Sequence, residues 1–192
     1  LFARGEGDGA PTLAPWWRTE RAALIAALGV RDAAYVYHGA TVESAARALR
    51  GLRSISRAWY AMKANSHPDV VRRIHATGIG LECVSRGEIE HAKRHVPLIT
   101  PAQILYTPNF ASRDEYVWAL GSEVLLTIDS LYPLQHWAEL FRGRDLYVRV
   151  DSGTGRGHHH HVRTAGAHAK FGVPVEELGE LAALARAAGA RI

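Results

Sequence analysis

The sequence is poor in sulfur, with one cysteine, Cys83, and one methionine among its 192 residues. A single cysteine cannot form a disulfide within the chain, so no disulfide framework supports this fold. This usage fits the reducing cytoplasm, which is the location we expect for the protein. Because Cys83 falls in a predicted strand, we expect it to be a small core residue and not a nucleophile.

Long apolar runs are also missing. No stretch approaches the roughly 20 apolar residues that a membrane-spanning helix needs, and no signal peptide opens the chain, so we expect no membrane partner. Charge of one sign is not concentrated either, because 19 acidic residues are interspersed among 23 basic ones. Without a basic stripe that carries aromatic residues, nucleic acid is not expected as a partner.

The N-terminal region carries little information. Residues 1–11 are rich in glycine, alanine and charge and are typical of a linker. Residues 16–28 have apolar side chains at helical spacing and are followed by Gly29, a suitable helix C-cap. Residues 33–37 are expected to form a short strand. We therefore assign residues 1–33 to a linker and a helix, and residues 34–192 to the domain that follows.

From residue 41 onward, predicted helices and strands alternate at about twenty-residue spacing. This alternation indicates parallel strands joined by right-handed crossovers, in an α/β fold. A doubly wound sheet and a (β/α)8 barrel both satisfy the pattern. The predicted strands are residues 57–62, 79–84, 104–106, 124–128 and 145–150, with the start of another at 189–192, and the predicted helices include 41–50, 68–77, 87–95, 112–120 and 175–188.

An apolar run at residues 58–62 ends abruptly in Lys63, and Ser-His-Pro at 66–68 then stops the strand and opens a helix. A lysine at the end of a buried strand loses solvent, which favours its neutral, nucleophilic amine. The alternative is a lysine that extends from the strand end to water, which is a common arrangement.

Three blocks of the sequence carry a resemblance: Tyr-Ala-Met-Lys-Ala-Asn at residues 60–65, Gly-Leu-Glu-Cys-Val-Ser-Arg-Gly-Glu-Ile at residues 80–89, and Thr-Ala-Gly-Ala-His-Ala-Lys-Phe-Gly-Val at residues 164–173. Together they resemble the fold type III (alanine-racemase-like) pyridoxal-phosphate enzymes, and their decarboxylase branch in particular. The first block resembles the Schiff-base block of that family, and the second resembles its second block. The third is similar to the Ser-Lys-Phe-Gly element of diaminopimelate decarboxylases, with Ala169 in place of the serine.

The resemblance selects the barrel over the doubly wound sheet. A complete barrel takes roughly 250 residues, and this chain ends after about five strand–helix units. We therefore expect a partial (β/α)8 barrel of the alanine-racemase-like type, the N-terminal portion of a cofactor-binding barrel that is inactive by itself.

The resemblance implies that the cofactor is pyridoxal 5'-phosphate and that four residues bind it. Lys63 would form the Schiff base with the cofactor aldehyde. Glu82 stands where the family usually has aspartate; the alternative is a solvated carboxylate. Arg149 matches an arginine that is directed at the cofactor's ring oxygen; the alternative is a surface charge. Ala61, two residues before Lys63 and so on the same face of the strand, would leave space for the ring.

The histidines at 158–161, together with His168, suggest metal binding, since imidazole is a good zinc ligand. Consecutive histidines point in alternating directions, however, and no acidic or cysteine partner stands at a recognised spacing. We expect no metal and interpret this region as a solvated loop. The resemblance gives Lys170 a role in ordering the loop near a dimer interface.

The function that the resemblance implies is decarboxylation of an amino acid, with meso-diaminopimelate converted to lysine in lysine biosynthesis. The likeness includes the form fused behind an aspartate kinase, in which residues 1–11 would be a domain junction. The alternatives are an ornithine- or arginine-type decarboxylase and a non-catalytic cofactor-binding or regulatory homologue. The resemblance also implies a homodimer with shared active sites.

Overall fold

The computed structural model of the protein describes residues 15–153 and 171–192. The chain divides into two compact units, Leu1–Thr41 and Val42–Ile192. None of the described helices is both long enough and apolar enough to cross a bilayer.

The described part of the first unit begins with two short helices, α1 (Trp16–Thr19) and α2 (Arg21–Leu28). The sequence pattern predicts one helix over residues 16–28, and the structure interrupts it at Glu20, whose backbone leaves the helical region. Gly29 ends α2 with φ +58, so its predicted role as the C-cap is confirmed.

After α2, the chain leads back to the start of the unit, where His38 contacts two residues. Its imidazole stacks on the ring of Trp16 at 4.8 Å, and its Nε2 lies 3.5 Å from a carboxylate oxygen of Glu20. The predicted strand at residues 33–37 is wrong, because these residues pair with no strand in the described part of the chain. Tyr35 is 93% exposed, so an apolar and aromatic composition alone did not create a strand.

The second unit is built on a five-stranded parallel sheet. Its strands lie in sequential order, β1-β2-β3-β4-β5, and each is parallel to its neighbour. Two further short strands, β6 and β7, pair with each other in parallel. The bounds are β1 Trp59–Ala61, β2 Gly80–Cys83, β3 Ile104–Tyr106, β4 Leu125–Ile128, β5 Leu146–Val148, β6 Val150–Asp151 and β7 Val173–Pro174.

Helices connect the strands of the five-stranded sheet, and several begin at side chains that suit a helix N-terminus. Ser112 accepts the backbone N–H of Glu115, and Glu115 accepts that of Ser112, so the predicted cap at Ser112 is confirmed as a capping box. The helices are α3 Gly39–Arg50, α4 Pro68–His75, α5 Arg86–His95, α6 Arg113–Gly121, α7 Tyr132–His136 and α8 Leu178–Ala188.

Helices α5 to α8 pack against one face of the sheet. Strand side chains such as Leu81 and Tyr106 are buried in one core with helix side chains such as Ile89, Tyr116 and Leu181. The alternate strand positions face the other side. A doubly wound sheet carries helices on both faces, whereas a barrel keeps them all outside. The one-sided core and the sequential strand order therefore confirm the expected partial barrel.

The sheet is also strongly curved. Trp59 on β1 and Tyr147 on β5 meet edge to face, with ring centroids 5.9 Å apart. Four strand spacings in a flat sheet would separate these strands by roughly 19 Å. The two side chains can meet only because the sheet bends around its uncovered face, which becomes the inside of the barrel.

The start of a sixth strand continues the order. Arg191 forms a parallel bridge with Asp145 beside β5, and the carbonyl of Arg191 accepts the N–H of Leu146 at 2.8 Å. The predicted strand entrance at residues 189–192 thus lies at the edge where a barrel would add its next strand.

The inner face of the barrel requires glycine at position 80. A Cβ on Gly80 would lie 2.5 Å from Cδ1 of Trp59 and 2.7 Å from the carbonyl oxygen of Gln103. We expect G80A to lower the free energy of unfolding by about 1–3 kcal/mol, as overpacking does. Chemical denaturation measures this loss.

A matched control is G179A in α8, where the added Cβ meets nothing within 4 Å. It should leave stability unchanged or raise it by up to about 1 kcal/mol, because alanine favours helix. Equal effects of the two substitutions would contradict the close contact at Gly80.

Candidate functional site

A cavity of about 390 Å³ opens on the inner face, at the carboxyl ends of the strands. Parallel strands end at the same edge, so the residues that follow them meet there, and barrel enzymes place their active sites at this edge. Three of the four predicted site residues lie in its wall. The wall is formed by Lys63, Glu82, Val84, Leu105, Thr107, Thr127, Tyr147, Val148 and Arg149.

Lys63 reaches the cavity from a 3₁₀ turn, Met62–Ala64, that follows β1 directly. The sequence predicted that Lys63 would end the strand, but β1 ends two residues before it, at Ala61. The side chain is exposed, so the desolvation on which the sequence argument relied is not a property of this structure. The amine is instead open to any molecule that enters the cavity.

The block around Lys63 holds this turn in place. The hydroxyl of Tyr60 donates to the carbonyl of Asn65 at 3.2 Å, and the Asn65 side chain accepts the backbone N–H of His67 at 2.9 Å. Met62 is completely buried. Tyrosine, methionine and asparagine therefore fix the backbone on both sides of Lys63 and leave its side chain exposed.

Ala61 is the last residue of β1 and lies in register with Glu82 on β2. The strand-alternation argument that placed Ala61 and Lys63 on one face is wrong, because Lys63 belongs to a 3₁₀ turn in which period-two alternation ends. The cavity wall as described includes Lys63 but not Ala61. A contact between Ala61 and a cofactor stays a prediction.

Glu82 lies on β2, lines the same cavity as Lys63 and Arg149, and is half-buried. Burial, the largest influence, raises the pKa of its carboxyl. A hydrogen bond from Thr107 and the charges of Lys63 and Arg149 partly oppose this rise, while the charge of Glu88 adds to it. The alternative of a solvated strand-end carboxylate does not fit this burial.

Arg149 follows β5 and is fixed by its main chain on both sides. Its N–H donates to the carbonyl of Ile128 at 2.9 Å, and its carbonyl accepts the N–H of Val173 at 2.8 Å. Its Nη1 donates to Oδ1 of Asn109 at 3.2 Å. Arg149 is half-buried in the cavity wall and is not a surface charge.

Two further polar residues of β4 were missed by the sequence analysis. Asp129, directly after the strand, is 8% exposed, and burial raises the pKa of its carboxyl against the opposing charge of Arg149. Thr127 is 5% exposed and lines the cavity, and its hydroxyl finds no hydrogen-bond partner in the structure as described. The sequence offered one signal for these two residues, since both are polar and stand at the end of an otherwise apolar strand.

The second sequence block, residues 80–89, serves local structure as well as the site. Ser85 accepts the backbone N–H of Glu88 at the start of α5, and the Glu88 carboxylate accepts the N–H of Val84 at 2.8 Å. Cys83 is fully buried, and burial raises the pKa of its thiol to about 12. It is a core residue, as expected, and not a nucleophile.

Among residues 15–153 and 171–192, no group of three or more histidine, cysteine or acidic side chains is arranged to hold a metal ion. The histidines at 158–161, His168, Ala169 and Lys170 lie outside the described residues, so the expectations for them stay predictions.

Comparison with known proteins identifies the chain's family. Residues 40–192 match the model of the pyridoxal-dependent decarboxylases, specifically their pyridoxal-binding domain. The chain belongs to this family. The expectations of a pyridoxal cofactor and of a decarboxylase relationship are thereby confirmed. The match begins close to the boundary between the two compact units, at Thr41 and Val42.

Curated relatives of the chain include two diaminopimelate decarboxylases. That of Methanothermobacter thermautotrophicus is 38% identical over 136 residues, which are 70% of this chain and 31% of the relative. That of Deinococcus radiodurans is 31% identical over 159 residues, which are 78% of this chain and 38% of the relative. The chain thus spans about a third of the length of these relatives.

Solved structures support the same fold. Diaminopimelate decarboxylase from Helicobacter pylori, complexed with L-lysine, matches with a TM-score of 0.71 and 21% identity over 85% of this chain and 43% of that chain. The arginine decarboxylase of Paramecium bursaria Chlorella virus, bound to agmatine, matches with a TM-score of 0.64 and 16% identity over 89% and 45%. At these identities the likeness concerns the fold alone.

The residues at the cavity fit a pyridoxal cofactor of this family. An accessible lysine amine can react with an aldehyde, and a guanidinium can bind an oxygen anion. The unpartnered hydroxyl of Thr127 offers one more polar group that a bound molecule can satisfy. A described cavity of about 390 Å³ falls in the range of small-molecule sites.

The raised pKa of Glu82 predicts a pH-dependent stability. The folded state binds the proton of the Glu82 carboxyl more tightly than the unfolded chain does. The contribution of this carboxyl to stability is therefore complete below its ordinary pKa of 4.5, and it is lost as the pH rises through the raised pKa of the folded state. E82Q resembles the protonated form. It should therefore be more stable than wild type at about pH 7 and equal to it at about pH 4 in denaturant titrations.

Glu43 provides a control of opposite sign. Hydrogen bonds from Arg73 and Arg47 lower the pKa of its carboxyl. E43Q should therefore be less stable than wild type at about pH 7, and the difference should vanish as the pH falls. If E82Q and E43Q shifted stability in the same direction, the burial argument for Glu82 would be wrong.

Proposed function

We propose that the protein containing this chain is a pyridoxal 5'-phosphate-dependent carboxy-lyase that converts meso-diaminopimelate to lysine. The observation that carries the proposal is the convergence of Lys63, Glu82 and Arg149, from three separate strand ends, on one cavity of a pyridoxal-binding domain. The diaminopimelate decarboxylases among the relatives, at up to 38% identity, support this choice of substrate.

The reaction breaks the bond between the substrate's α-carbon and its carboxylate. Carbon dioxide leaves, and a proton takes its place on the α-carbon. When bound, the cofactor supplies a conjugated ring that accepts the electron pair of the broken bond. The chain's own residues bind and orient the reacting groups in the cavity.

Each of the proposed site residues has a distinct role. Lys63 holds the cofactor through its amine and releases it when a substrate amine arrives. Arg149, already fixed by its neighbours, binds an oxygen of the cofactor ring. Glu82 supplies a carboxylate to the cofactor site, where the charges of Lys63 and Arg149 act on it. Ala61, beside Glu82 in the sheet, leaves space for the ring.

An ornithine- or arginine-type decarboxylase is the second candidate. The viral arginine decarboxylase described above shares the fold at a TM-score close to that of the diaminopimelate enzyme. The described cavity wall contains Lys63, Glu82 and Arg149, and none of these side chains distinguishes one α-amino acid substrate from another. A cofactor-binding or regulatory homologue without turnover is the third candidate, and it would use the same wall.

Assembly and location form part of the same proposal. A homodimer with shared active sites and a cytoplasmic location follow from the resemblance to the family and stay predictions. The boundary between residues 1–33 and residues 34–192 is likewise a prediction.

The first test concerns the covalent residue. Borohydride reduction of the cofactor-loaded protein should leave a pyridoxyl label on Lys63, because this amine faces the cavity. Peptide mapping by mass spectrometry locates the label. Lys93 on α5 and Lys170 are the chain's other lysines, and a label on either would contradict the assignment.

The second test concerns the reaction. The full-length protein should release carbon dioxide from meso-diaminopimelate and form lysine, and K63A should lower this rate by several orders of magnitude, as expected when covalent catalysis is lost. Ornithine and arginine serve as competing substrates. Release from either of them alone would favour the second candidate, and cofactor binding without any release would favour the third.

A further inference from the structure

The Phe-Gly pair at residues 171–172 lies near the end of the third sequence block. In the structure, the ring of Phe171 lies against Arg149, with the guanidinium carbon 4.5 Å from the ring centroid. This distance is within the range of a cation–π interaction, in which the face of the ring attracts the cation. The two side chains come from segments that stand on opposite sides of residues 154–170.

Phe171 and Asn109 hold the guanidinium together. The amide oxygen of Asn109 accepts a hydrogen bond from Nη1 at 3.2 Å, while the aromatic ring contacts the guanidinium over its carbon. A hydrogen bond restrains the group in one direction, and contact with a ring restrains the orientation of its plane. Arg149 therefore has fewer rotamers available than an arginine on an open surface.

Gly172 explains why Phe171 can approach so closely. Gly172 has φ +90, and a Cβ there would lie 2.8 Å from the backbone nitrogen of Asp151 and 3.0 Å from the carbonyl carbon of Val150. The chain passes the backbone of β6 at a distance that only glycine allows. The next residue, Val173, then donates its N–H to the carbonyl of Arg149.

From this arrangement we propose that Phe171 is a positioning residue for Arg149, holding the guanidinium ready to bind an oxygen of the cofactor. The inference rests on the proposed function, because it assigns Arg149 to the cofactor. Phe171 is not among the residues that line the described cavity. It restricts the Arg149 side chain before the cofactor binds, so Arg149 loses fewer conformations on binding. This effect is preorganisation.

The test measures affinity for pyridoxal 5'-phosphate by the absorbance and fluorescence of the bound cofactor, in the full-length protein. F171L preserves apolar volume and removes the aromatic face. It should weaken binding by about two- to thirtyfold, the range that a cation–π contact supports. F171Y keeps the face and should bind as wild type does.

A double-mutant cycle separates positioning from packing. R149M removes the cation, so F171L should have no further effect on cofactor affinity in the R149M background. The matched control is F110L. Phe110 packs 6.3 Å from Phe171 and is 73% exposed, and its substitution should leave the affinity close to that of wild type. Additive effects of F171L and R149M, or equal effects of F171L and F110L, would overturn the proposal.

A second measurement needs no cofactor. The ring current of Phe171 should shift the NMR signals of the Arg149 side chain in the unloaded protein, and the shift should disappear in F171L and persist in F171Y. If the shift is present but wild type binds no cofactor, the proposed function fails and the positioning role fails with it. If wild type binds the cofactor but the shift is absent, the proposed cofactor site stands and the positioning role alone is overturned.

Discussion

The structure of the second unit depends on the fact that its parallel sheet is covered on one face only. Each connection steps to the neighbouring strand in the same direction, so successive helices fall on the same side. Helices α5 to α8 share the main core, and Ala46 of α3 forms a smaller cluster with Val70 and Ile74 of α4. The other face is then free to bend inward, which brings Trp59 into contact with Tyr147 across five strands. Curvature, in turn, gathers the carboxyl ends of the strands around one cavity.

Much of this arrangement could be predicted from the sequence. Strand and helix periodicity located all five strands of the sheet to within a few residues, because buried parallel strands are short apolar runs and the helices carry recognisable caps such as Ser112. Periodicity could not choose between a doubly wound sheet and a barrel, since both repeat the same unit. That choice depends on which face the helices cover, a property of crossover direction that no local pattern records.

The sequence was less informative about individual side chains in the site. It correctly brought Lys63, Glu82 and Arg149 to one edge of the sheet, but it extended the strand alternation of β1 into a 3₁₀ turn and inferred burial for a lysine that is exposed. Thr127 and Asp129 were missed because their burial arises from curvature and from neighbouring strands. The strand expected at residues 33–37 failed for a related reason, since a strand requires a partner as well as a composition.

The exposure of Lys63 has a consequence for how the site is constructed. Arg149 is held by main-chain hydrogen bonds to β4 and β7, by Asn109 and by an aromatic ring, so it forms a preorganised wall of the cavity. Lys63 extends from a turn whose backbone is fixed while its side chain is open to solvent. This asymmetry would suit the proposed roles of the two residues, in which the amine of Lys63 leaves and returns in each cycle while Arg149 continues to orient the cofactor. Arg149, the rigid part of the site, follows β5, and Lys63, the movable part, follows β1. The contacts that hold Arg149 are different from those that hold the turn at Lys63.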